Sequence, residues 1–255
     1  LNYWGDKPLN KGIKFVGYSN SSSLFGALKS KQIDVLLSNS IDDSQRKSLN
    51  NLSKNKQFNE GNSPFTELSF ISLKTSSYPL NNLNLRLALA KSLNRKLISE
   101  KVSYGLRKPS RSIIPPILKK DNQALWPKYD YLEARRLLQN ENYCNGNILK
   151  IPLTYRSNVP ADKLIALTWQ QEIKNSLKDC INIELNGVES TTVYKNLSLG
   201  IYTAVILDWT GAYSDPEAYL TPLLSCNEIV DGICKKGESV YSGSFWASNK
   251  VESLF

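Results

Sequence analysis

Residues 207–216 contain side chains that could hold a ligand by stacking and by charge: Leu207-Asp208-Trp209-Thr210-Gly211-Ala212-Tyr213-Ser214-Asp215-Pro216. They follow an apolar, β-rich run at 202–207, which predicts a buried strand that leads into a turn. Ligands lie at the carboxyl ends of strands in α/β sheets, and a tryptophan there can stack on a ligand or a cation. The candidate ligand-binding residues are therefore Trp209, Tyr213, Asp208, Thr210 and Ala212. The alternative is structural: Trp209 closes the edge of the core, and Asp215 starts a turn before Pro216.

The two carboxylates of this stretch, Asp208 and Asp215, also allow an enzymatic interpretation. Glycoside hydrolases use a pair of carboxyl groups that flank the bond to be cleaved. Spacing across a turn is not specific to that chemistry. The enzymatic interpretation would need support from a raised pKa on one carboxyl group and from turnover of a glycoside. We expect a binding protein and no enzyme.

The composition excludes several other chemistries. The 255 residues include no histidine, which removes serine–histidine triads and histidine-based zinc sites, and we expect no metal and no cofactor. A net charge of +9 would suit an anionic partner such as nucleic acid or a membrane surface, whose binding weakens steeply with salt. We expect no nucleic-acid partner, because the basic pairs are scattered: Lys119-Lys120, Arg135-Arg136 and Lys235-Lys236. No apolar run approaches the ~20 residues that span a bilayer.

The chain has four cysteines, Cys144, Cys180, Cys226 and Cys234, and no pair has the C-x-x-C spacing of zinc or redox sites. The first two each precede a predicted strand, at 149–155 and 181–185. If those strands are neighbours, both cysteines lie at the same sheet edge, within reach of a disulfide. The last two would then close a short loop. The alternative is four free, buried thiols.

The elements that position the candidate stretch follow from periodicity and capping residues. Strands are predicted at 13–18, 33–37, 67–75, 149–155 and 181–185. Helices are predicted around 24–28, at 43–52, from Asn82 to Leu93, over 131–138, from Pro160 to Leu177, and through Tyr194 and Leu197 to Gly200. The first two strands would enclose the first helix in a βαβ unit.

The candidate stretch also resembles a segment of a known family. The stretch reads Asp-Trp, then small or polar residues, then Asp-Pro, and it continues to Tyr219-Leu220. This pattern is similar to the segment that lines the ligand cleft in extracellular solute-binding proteins of family 5. These are the peptide-binding and nickel-binding receptors of ABC importers. Residues 245–249 and 251–255 resemble the family's continuation after this segment, cut short.

Earlier stretches resemble the same family in the same order. Residues 86–95 are similar to its Arg-x-Ala-Leu-x-x-Ala-x-Asp-Arg, and residues 129–143 to its Tyr-Asp-Pro-Glu-x-Ala-x-x-Leu-Leu with a closing Ala-Gly-Tyr. Asn142 replaces that glycine and suits a left-handed helix cap. Near the start, residues 2–4 resemble the family's Asn-x-Tyr-Trp. Further on, Lys31 stands where the family usually has a glycine. The residues assigned to structural motifs are Arg86, Ala88, Leu89, Arg95, Asp215 and Pro216.

The resemblance implies an α/β fold with the two-lobed, periplasmic-binding-protein-like architecture of type II, in which mixed sheets are flanked by helices and the first lobe is incomplete. Residues 1–66 would be part of the first lobe and residues 67–255 the second, with a crossing strand at about 67–75 and a truncated carboxyl-terminal end. We expect a fragment from the middle of a longer chain, with the signal sequence absent from it.

The resemblance also implies a receptor function. Such a receptor captures short peptides between its lobes by hinge closure and delivers them to permease subunits in the membrane, without covalent chemistry. We expect a monomer in the periplasm or cell envelope. A receptor of the same family for a non-peptide solute or a metal chelate is the alternative, although a chain without histidine or methionine lacks the usual nickel ligands.

Two departures from the peptide pattern affect the expected ligand. Oligopeptide receptors of the family carry an aspartate three residues after the tryptophan, which pairs with the ligand's amino group, and here that position is Ala212. Some carry an arginine three residues before it, and here that position is Ile206. Asp208 could supply the missing carboxylate only if the strand has ended, because neighbouring strand side chains point to opposite faces. Otherwise Asp208 is exposed to solvent or paired with a basic side chain.

Overall fold

The computed structural model describes residues 4–37, 41–61, 66–110, 112–118 and 126–252. The chain divides into two compact units, Leu1–Phe58 and Asn59–Phe255, and each is described by itself. The motif positions Asn2-Tyr3, Lys119-Lys120 and 253–255 lie outside the described residues. No helix formed by the described residues has the length and apolar character needed to cross a membrane.

The first unit contains two helices that the sequence predicts, α1 (Ser21–Lys29) and α2 (Asp43–Lys54). The side chain of Asn20 caps α1. Asp42 and Gln45 cap α2 reciprocally, each side chain accepting a hydrogen bond from the other residue's backbone N–H. Such local hydrogen bonds fix a helix start without distant contacts, so these starts can be read from the sequence.

The two strands predicted in the first unit are wrong. Residues 13–18 and 33–37 form no strand, so the described residues of the first unit contain no βαβ unit. A strand needs a neighbouring backbone for its N–H and C=O groups, and the described residues of this unit provide none. Ile13, Phe15 and Val35 are accordingly 77%, 91% and 78% exposed.

The second unit is built on a four-stranded mixed sheet. Its strands are β1 (Glu67–Leu73), β2 (Leu149–Arg156), β3 (Ile181–Val188) and β4 (Ala204–Thr210), in the order β1-β4-β2-β3. β2 is parallel to β3 and β4, and β1 is antiparallel to β4. A separate antiparallel hairpin consists of β5 (Glu228–Val230) and β6 (Ile233–Lys236). The predicted α/β class is confirmed.

The helices of this unit are α3 (Leu83–Ser92), α4 (Arg95–Ser103), α5 (Tyr131–Asn140), α6 (Pro160–Ser176), α7 (Ser190–Asn196), α8 (Glu217–Leu224), α9 (Glu238–Tyr241) and α10 (Asn249–Glu252). Helices cover both faces of the sheet, with α3, α5 and α6 on one face and α7 on the other. Ala204 and Ile206 of β4 pack in one cluster with Trp169 of α6. Val205 and Leu207 pack in another with α7. Because both faces are covered there, residues 204–207 of β4 are a continuous apolar run.

The motif arginines bind backbone carbonyl groups. Arg86 Nη1 donates to the carbonyl oxygen of Leu80 at 2.7 Å. Arg95 donates to the carbonyl oxygens of Ser110 and Pro127. The motif thus ties α3 and α4 to the segments that precede and follow them. The other two residues of the helical motif, Ala88 and Leu89, are buried in the core.

Both predicted disulfides are present, Cys144–Cys180 and Cys226–Cys234. The first joins the segments that precede the parallel neighbours β2 and β3, as the order of elements predicted. The second links the residue two before β5 to a residue of β6. The alternative of four free thiols is therefore wrong.

Candidate functional site

The carboxyl ends of β2, β3 and β4 lie at one edge of the sheet. The three strands are parallel, and they end at Arg156, Val188 and Thr210. The helices α6 and α7 start at this edge, directly after β2 and β3. The candidate stretch 207–216 leaves the sheet here, where ligands bind in α/β proteins.

Arg156, the last residue of β2, is buried at this edge and binds three side chains. Its Nε and Nη2 donate to the two carboxylate oxygens of Asp162 at 2.7 and 3.0 Å. Its Nη1 and Nη2 donate to the two oxygens of Asp208 at 2.9 and 2.7 Å. Nη1 also donates to the hydroxyl of Tyr194 at 2.7 Å. All five N–H groups of the guanidinium are therefore used. We call these four residues the Arg156 cluster.

The Arg156 cluster has an excess of negative charge. Burial lowers the pKa of Arg156, but the hydrogen bonds and charges of the two aspartates outweigh burial and hold that pKa well above its ordinary value. Burial raises the pKa of Asp162, against the lowering effect of Arg156. Burial also raises the pKa of Tyr194, and the charge of Arg156 opposes this. With both aspartates ionised, one positive charge faces two negative charges.

Asp208 lies within β4, not beyond its end. The pairing of β1 with β4 continues to Thr210, opposite Glu67, so the strand predicted to end at 207 ends three residues later. The alternation of strand side chains predicted that Asp208 could reach the side of Trp209 only if the strand had ended. The strand continues, and Asp208 nevertheless lines the same cavity as Trp209. Asp208 is paired with Arg156, as one of the two structural alternatives anticipated, and its side chain remains 35% exposed.

Trp209 forms the wall of a cavity of about 120 Å³. Its indole Nε1 donates to the carbonyl oxygen of Ala218 in α8 at 2.8 Å, which fixes the ring. Asp208 also lines the cavity. The other polar and aromatic lining residues include Phe70, Tyr194, Glu238 and Tyr241. Of the five candidates, the cavity brings together Trp209 and Asp208.

The remaining candidates lie at the exposed end of β4 and on the turn after it. Thr210, Ala212 and Tyr213 are exposed and do not line the cavity. The hydroxyl of Tyr213 donates to the carboxylate of Glu217. Asp215 Oδ1 accepts a hydrogen bond from the backbone N–H of Glu217 at 2.8 Å, as expected of a residue that starts a turn. Pro216 directly precedes α8.

A second, larger cavity of about 470 Å³ lies near the start of β2. The hydroxyls of Tyr78 and Tyr143 are 2.7 Å apart. Glu141 accepts hydrogen bonds from the side-chain amides of Asn82 and Asn84. Burial and the hydrogen bond with Tyr78 raise the pKa of Tyr143 to about 12. These polar groups bind one another, and no candidate residue lines the cavity, so we assign the functional site to the carboxyl edge.

Sequence reasoning missed Arg156, Asp162 and Tyr194. Each had an ordinary interpretation alone: a residue that ends a strand, an acidic residue in the first turn of a helix, and a helical tyrosine. The available signal was an arginine at the end of an apolar strand, followed six residues later by an aspartate. A metal site is a separate question. The described residues contain no group of three or more His, Cys, Asp or Glu side chains that could hold a metal ion.

The comparisons with known proteins agree with the motifs. The model of the bacterial extracellular solute-binding proteins, family 5 Middle, matches residues 2–231. The chain therefore belongs to this family.

Two curated relatives and one solved structure illustrate the likeness. The chain is 26% identical to the nickel-binding periplasmic protein of Escherichia coli K12, covering 87% of this chain and 44% of that protein. It is 25% identical to heme-binding protein A of Haemophilus influenzae, covering 89% and 41%. Its fold is similar to that of Haemophilus influenzae OppA in complex with RPPGFSPFR, with a TM-score of 0.75 and 20% identity, covering 94% and 45%.

The predicted periplasmic-binding-protein-like fold is confirmed by this structural likeness. The chain spans less than half the length of each of these proteins. The division into lobes at residues 66 and 67 stays a prediction.

Proposed function

We propose that this protein is the substrate-binding receptor of an ABC importer, and that it captures short peptides at the carboxyl edge of the sheet. The observation that carries the proposal is the position of Trp209, at the end of a buried parallel strand and beside a cavity, in a chain of a solute-binding family. Trp209 offers a ring for stacking, and the exposed Tyr213, Thr210 and Ala212 border the same edge.

A binding role, with no reaction, agrees with the state of the carboxylates. A glycoside hydrolase needs two carboxyl groups that reach the same bond. Here Asp208 is held by Arg156, and Asp215 is held by the backbone of Glu217. Both carboxylates thus have a structural partner, and no observation on them favours the enzymatic alternative.

In this proposal residues 1–66 belong to one lobe and residues 67–255 to the other, and the segment 67–75, which contains β1, crosses between them. The ligand stabilises the closed arrangement because it contacts both lobes only there. The receptor acts as a monomer in the periplasm or cell envelope and docks on permease subunits in the membrane. Nucleic acid is not a partner.

A non-peptide solute or a metal chelate is the second candidate ligand. One observation favours it: Ala212 provides no carboxylate where the resemblance expects one for the amino group of a peptide. The names of the two curated relatives, nickel-binding and heme-binding, agree with this possibility. The receptor role is the same in both cases.

The test is calorimetric titration of the purified protein with short peptides, comparing wild type, Trp209→Ala and Trp126→Ala. Trp126 is also partly exposed and does not line the cavity. A stacking residue at a binding site contributes about 2 kcal/mol or more, so Trp209→Ala should weaken peptide binding roughly 30-fold. Trp126→Ala should bind like wild type. Equal binding by all three proteins would contradict the role of Trp209.

A further inference from the structure

The sequence contains two Asn-Gly pairs, Asn145-Gly146 and Asn186-Gly187. Asparagine is one of the chemically labile residues of proteins, and a following glycine increases that lability because no side chain obstructs its backbone nitrogen. The two pairs lie in contrasting parts of the fold. Asn145-Gly146 lies in the short segment between Cys144 and β2, whereas Asn186-Gly187 lies within β3. Comparing them shows what the structure does to this chemistry.

The pair Asn145-Gly146 is open to solvent. Both residues are exposed, and a Cβ built on Gly146 would meet no atom within 4 Å. Within the part of the chain that the structure describes, neither the side-chain amide of Asn145 nor the backbone N–H of Gly146 makes a hydrogen bond. The two groups that react with each other in deamidation are thus both unengaged, in an exposed segment.

The backbone around this pair forms a turn. Gly146 has a φ angle of 87°, in the left-handed region. The N–H of Cys144 donates to the carbonyl oxygen of Asn147 at 2.9 Å, so the turn is closed around the pair without using the pair's own amide groups. The disulfide to Cys180 fixes one end of the segment, and β2 fixes the other. Rotation at Asn145 therefore breaks no hydrogen bond made by the pair itself.

The pair Asn186-Gly187 is held in the sheet. Asn186 lies opposite Thr154 and Gly187 opposite Tyr155 in the parallel pairing of β2 with β3. The ring of Tyr155 covers Gly187, since a Cβ built there would lie 2.8 Å from Cζ of that ring. Cyclisation requires rotation out of the extended strand conformation, so β3 must first open locally. Reaction at this pair is slowed by the free energy of that opening.

We propose that Asn145-Gly146 is a modification site, at which the folded protein deamidates spontaneously through a succinimide. The backbone nitrogen of Gly146, having lost its proton to a base in solution, bonds to Cγ of Asn145. The Cγ–Nδ2 bond breaks, and the amide nitrogen takes up a proton and leaves as ammonia. Water then adds to one carbonyl carbon of the imide ring and opens it, which gives aspartate or isoaspartate at position 145. The net change is one water taken up and one ammonia released, without an oxidant or a cofactor.

The products change both the charge and the backbone of the turn. Each has a carboxylate in place of the neutral amide, two residues before Asn147, which lines the larger cavity together with Glu141. In the isoaspartate form the chain also runs through the side-chain carbons of residue 145, which lengthens the turn that the hydrogen bond from Cys144 to Asn147 closes. This chemistry needs no ligand, so the inference is independent of the proposed receptor function.

The test incubates the purified protein at pH 8 and follows two tryptic peptides, 137–150 and 179–195, by mass spectrometry after reduction. Conversion of an amide to a carboxyl group adds about 1 Da, and fragmentation assigns the gain to one asparagine. Asn145 should convert at least about tenfold faster than Asn186, because only Asn186 needs local opening of a strand. In guanidinium chloride, which removes that difference, the two rates should agree within about twofold.

The matched variant is Asn145→Gln, which keeps a side-chain amide but closes a larger ring more slowly. It should lose the gain in mass at position 145, while Asn186 converts as in wild type. Equal rates at Asn145 and Asn186 in the folded protein would overturn the inference. Conversion of Asn145 in the unfolded protein alone would overturn it too, as would a gain in mass located on Asn142 or Asn147, which no glycine follows.

Discussion

Arg156 and Asp208 join the ends of two neighbouring parallel strands through two side-by-side hydrogen bonds, Nη1 to Oδ1 at 2.9 Å and Nη2 to Oδ2 at 2.7 Å. The same guanidinium holds both oxygens of Asp162 at the start of α6. Charge-assisted bonds of this two-pronged form fix geometry as well as adding energy. The edge that carries Trp209 is thus held in place from β2, β4 and α6.

Replacing Arg156 should destabilise the protein strongly. Arg156→Ala leaves the buried carboxylate of Asp162 without its partner, and breaking a buried ion pair costs about 3–5 kcal/mol. The matched control is Arg135→Ala, which breaks the more exposed pair with Asp179 and should cost about 1 kcal/mol or less. Urea unfolding measures both. A loss from Arg156→Ala no larger than that of the control would contradict the structural role of the cluster.

A methyl group at Gly211 should disturb the turn after β4. A Cβ there would lie 2.6 Å from Cε2 of Tyr219 and 3.1 Å from the Cβ of Ala218. Tyr219 cannot easily move, because it is fully buried and its hydroxyl donates to the carbonyl of Thr66 at 2.6 Å. Gly211→Ala should therefore reduce the free energy of unfolding by about 1–3 kcal/mol.

The control for Gly211→Ala is Gly26→Ala in α1, where an added Cβ meets nothing within 4 Å. Alanine is a better helix former than glycine by about 1 kcal/mol, so this variant should be at least as stable as wild type in thermal unfolding. If the two variants behaved alike, the close approach of Tyr219 would not limit residue 211.

The two disulfides should differ in their contribution to stability. Cys144–Cys180 closes a sequence separation of 36 residues, and Cys226–Cys234 one of 8. In the chain-entropy model the longer loop stabilises by about 4 kcal/mol and the shorter by about 2.5 kcal/mol. Urea unfolding of the two double serine variants, Cys144→Ser with Cys180→Ser and Cys226→Ser with Cys234→Ser, should show that order. The reverse order would contradict it.

Tyr143 should make stability depend on pH in the alkaline range. Its pKa is raised from 10.0 to about 12, so the folded state keeps a proton that the unfolded state releases. The stability that this proton contributes is fully present below pH 10 and is lost as the pH rises towards 12. Tyr143→Phe should be about 1 kcal/mol less stable at pH 8, and this difference should shrink by pH 11.

The control for this pH dependence is Tyr241→Phe, which changes an exposed tyrosine that makes no hydrogen bond with Tyr78. Its stability difference from wild type should stay the same between pH 8 and pH 11. Urea unfolding at both values measures the two differences. If the stability difference between Tyr143→Phe and wild type also stayed the same from pH 8 to pH 11, the folded state would not hold the proton of Tyr143.

The elements that the sequence predicted correctly are those with local signals. Asn82 and Asp130 cap α3 and α5 with their own side chains, and Pro160 begins α6. Asn142 and Lys31, both at family glycine positions, have positive φ angles of 64° and 60°. Capping depends on neighbours in the chain, so a single sequence shows it, whereas the two left-handed positions were indicated only by the glycine of the family pattern.

The features that the sequence did not predict depend on distant partners. The segments 13–18 and 33–37 have strand-like composition but no neighbouring strand among the described residues of their unit. β4 extends to Thr210 because β1 pairs with it that far, which no pattern within β4 reveals. Arg156 meets Asp208 across 52 residues of sequence, and only the parallel pairing of β2 and β4 brings them together.

The most direct test of the receptor proposal is mass spectrometry of the small molecules that the purified protein releases when it is denatured. We predict a mixture of short peptides, and each recovered peptide should raise the unfolding temperature when added back. At a hundred times its dissociation constant, a ligand adds about 2.7 kcal/mol of stability. A single non-peptide compound or a metal chelate would keep the receptor role and replace the substrate. No released molecule, together with no thermal shift from short peptides, would contradict the account.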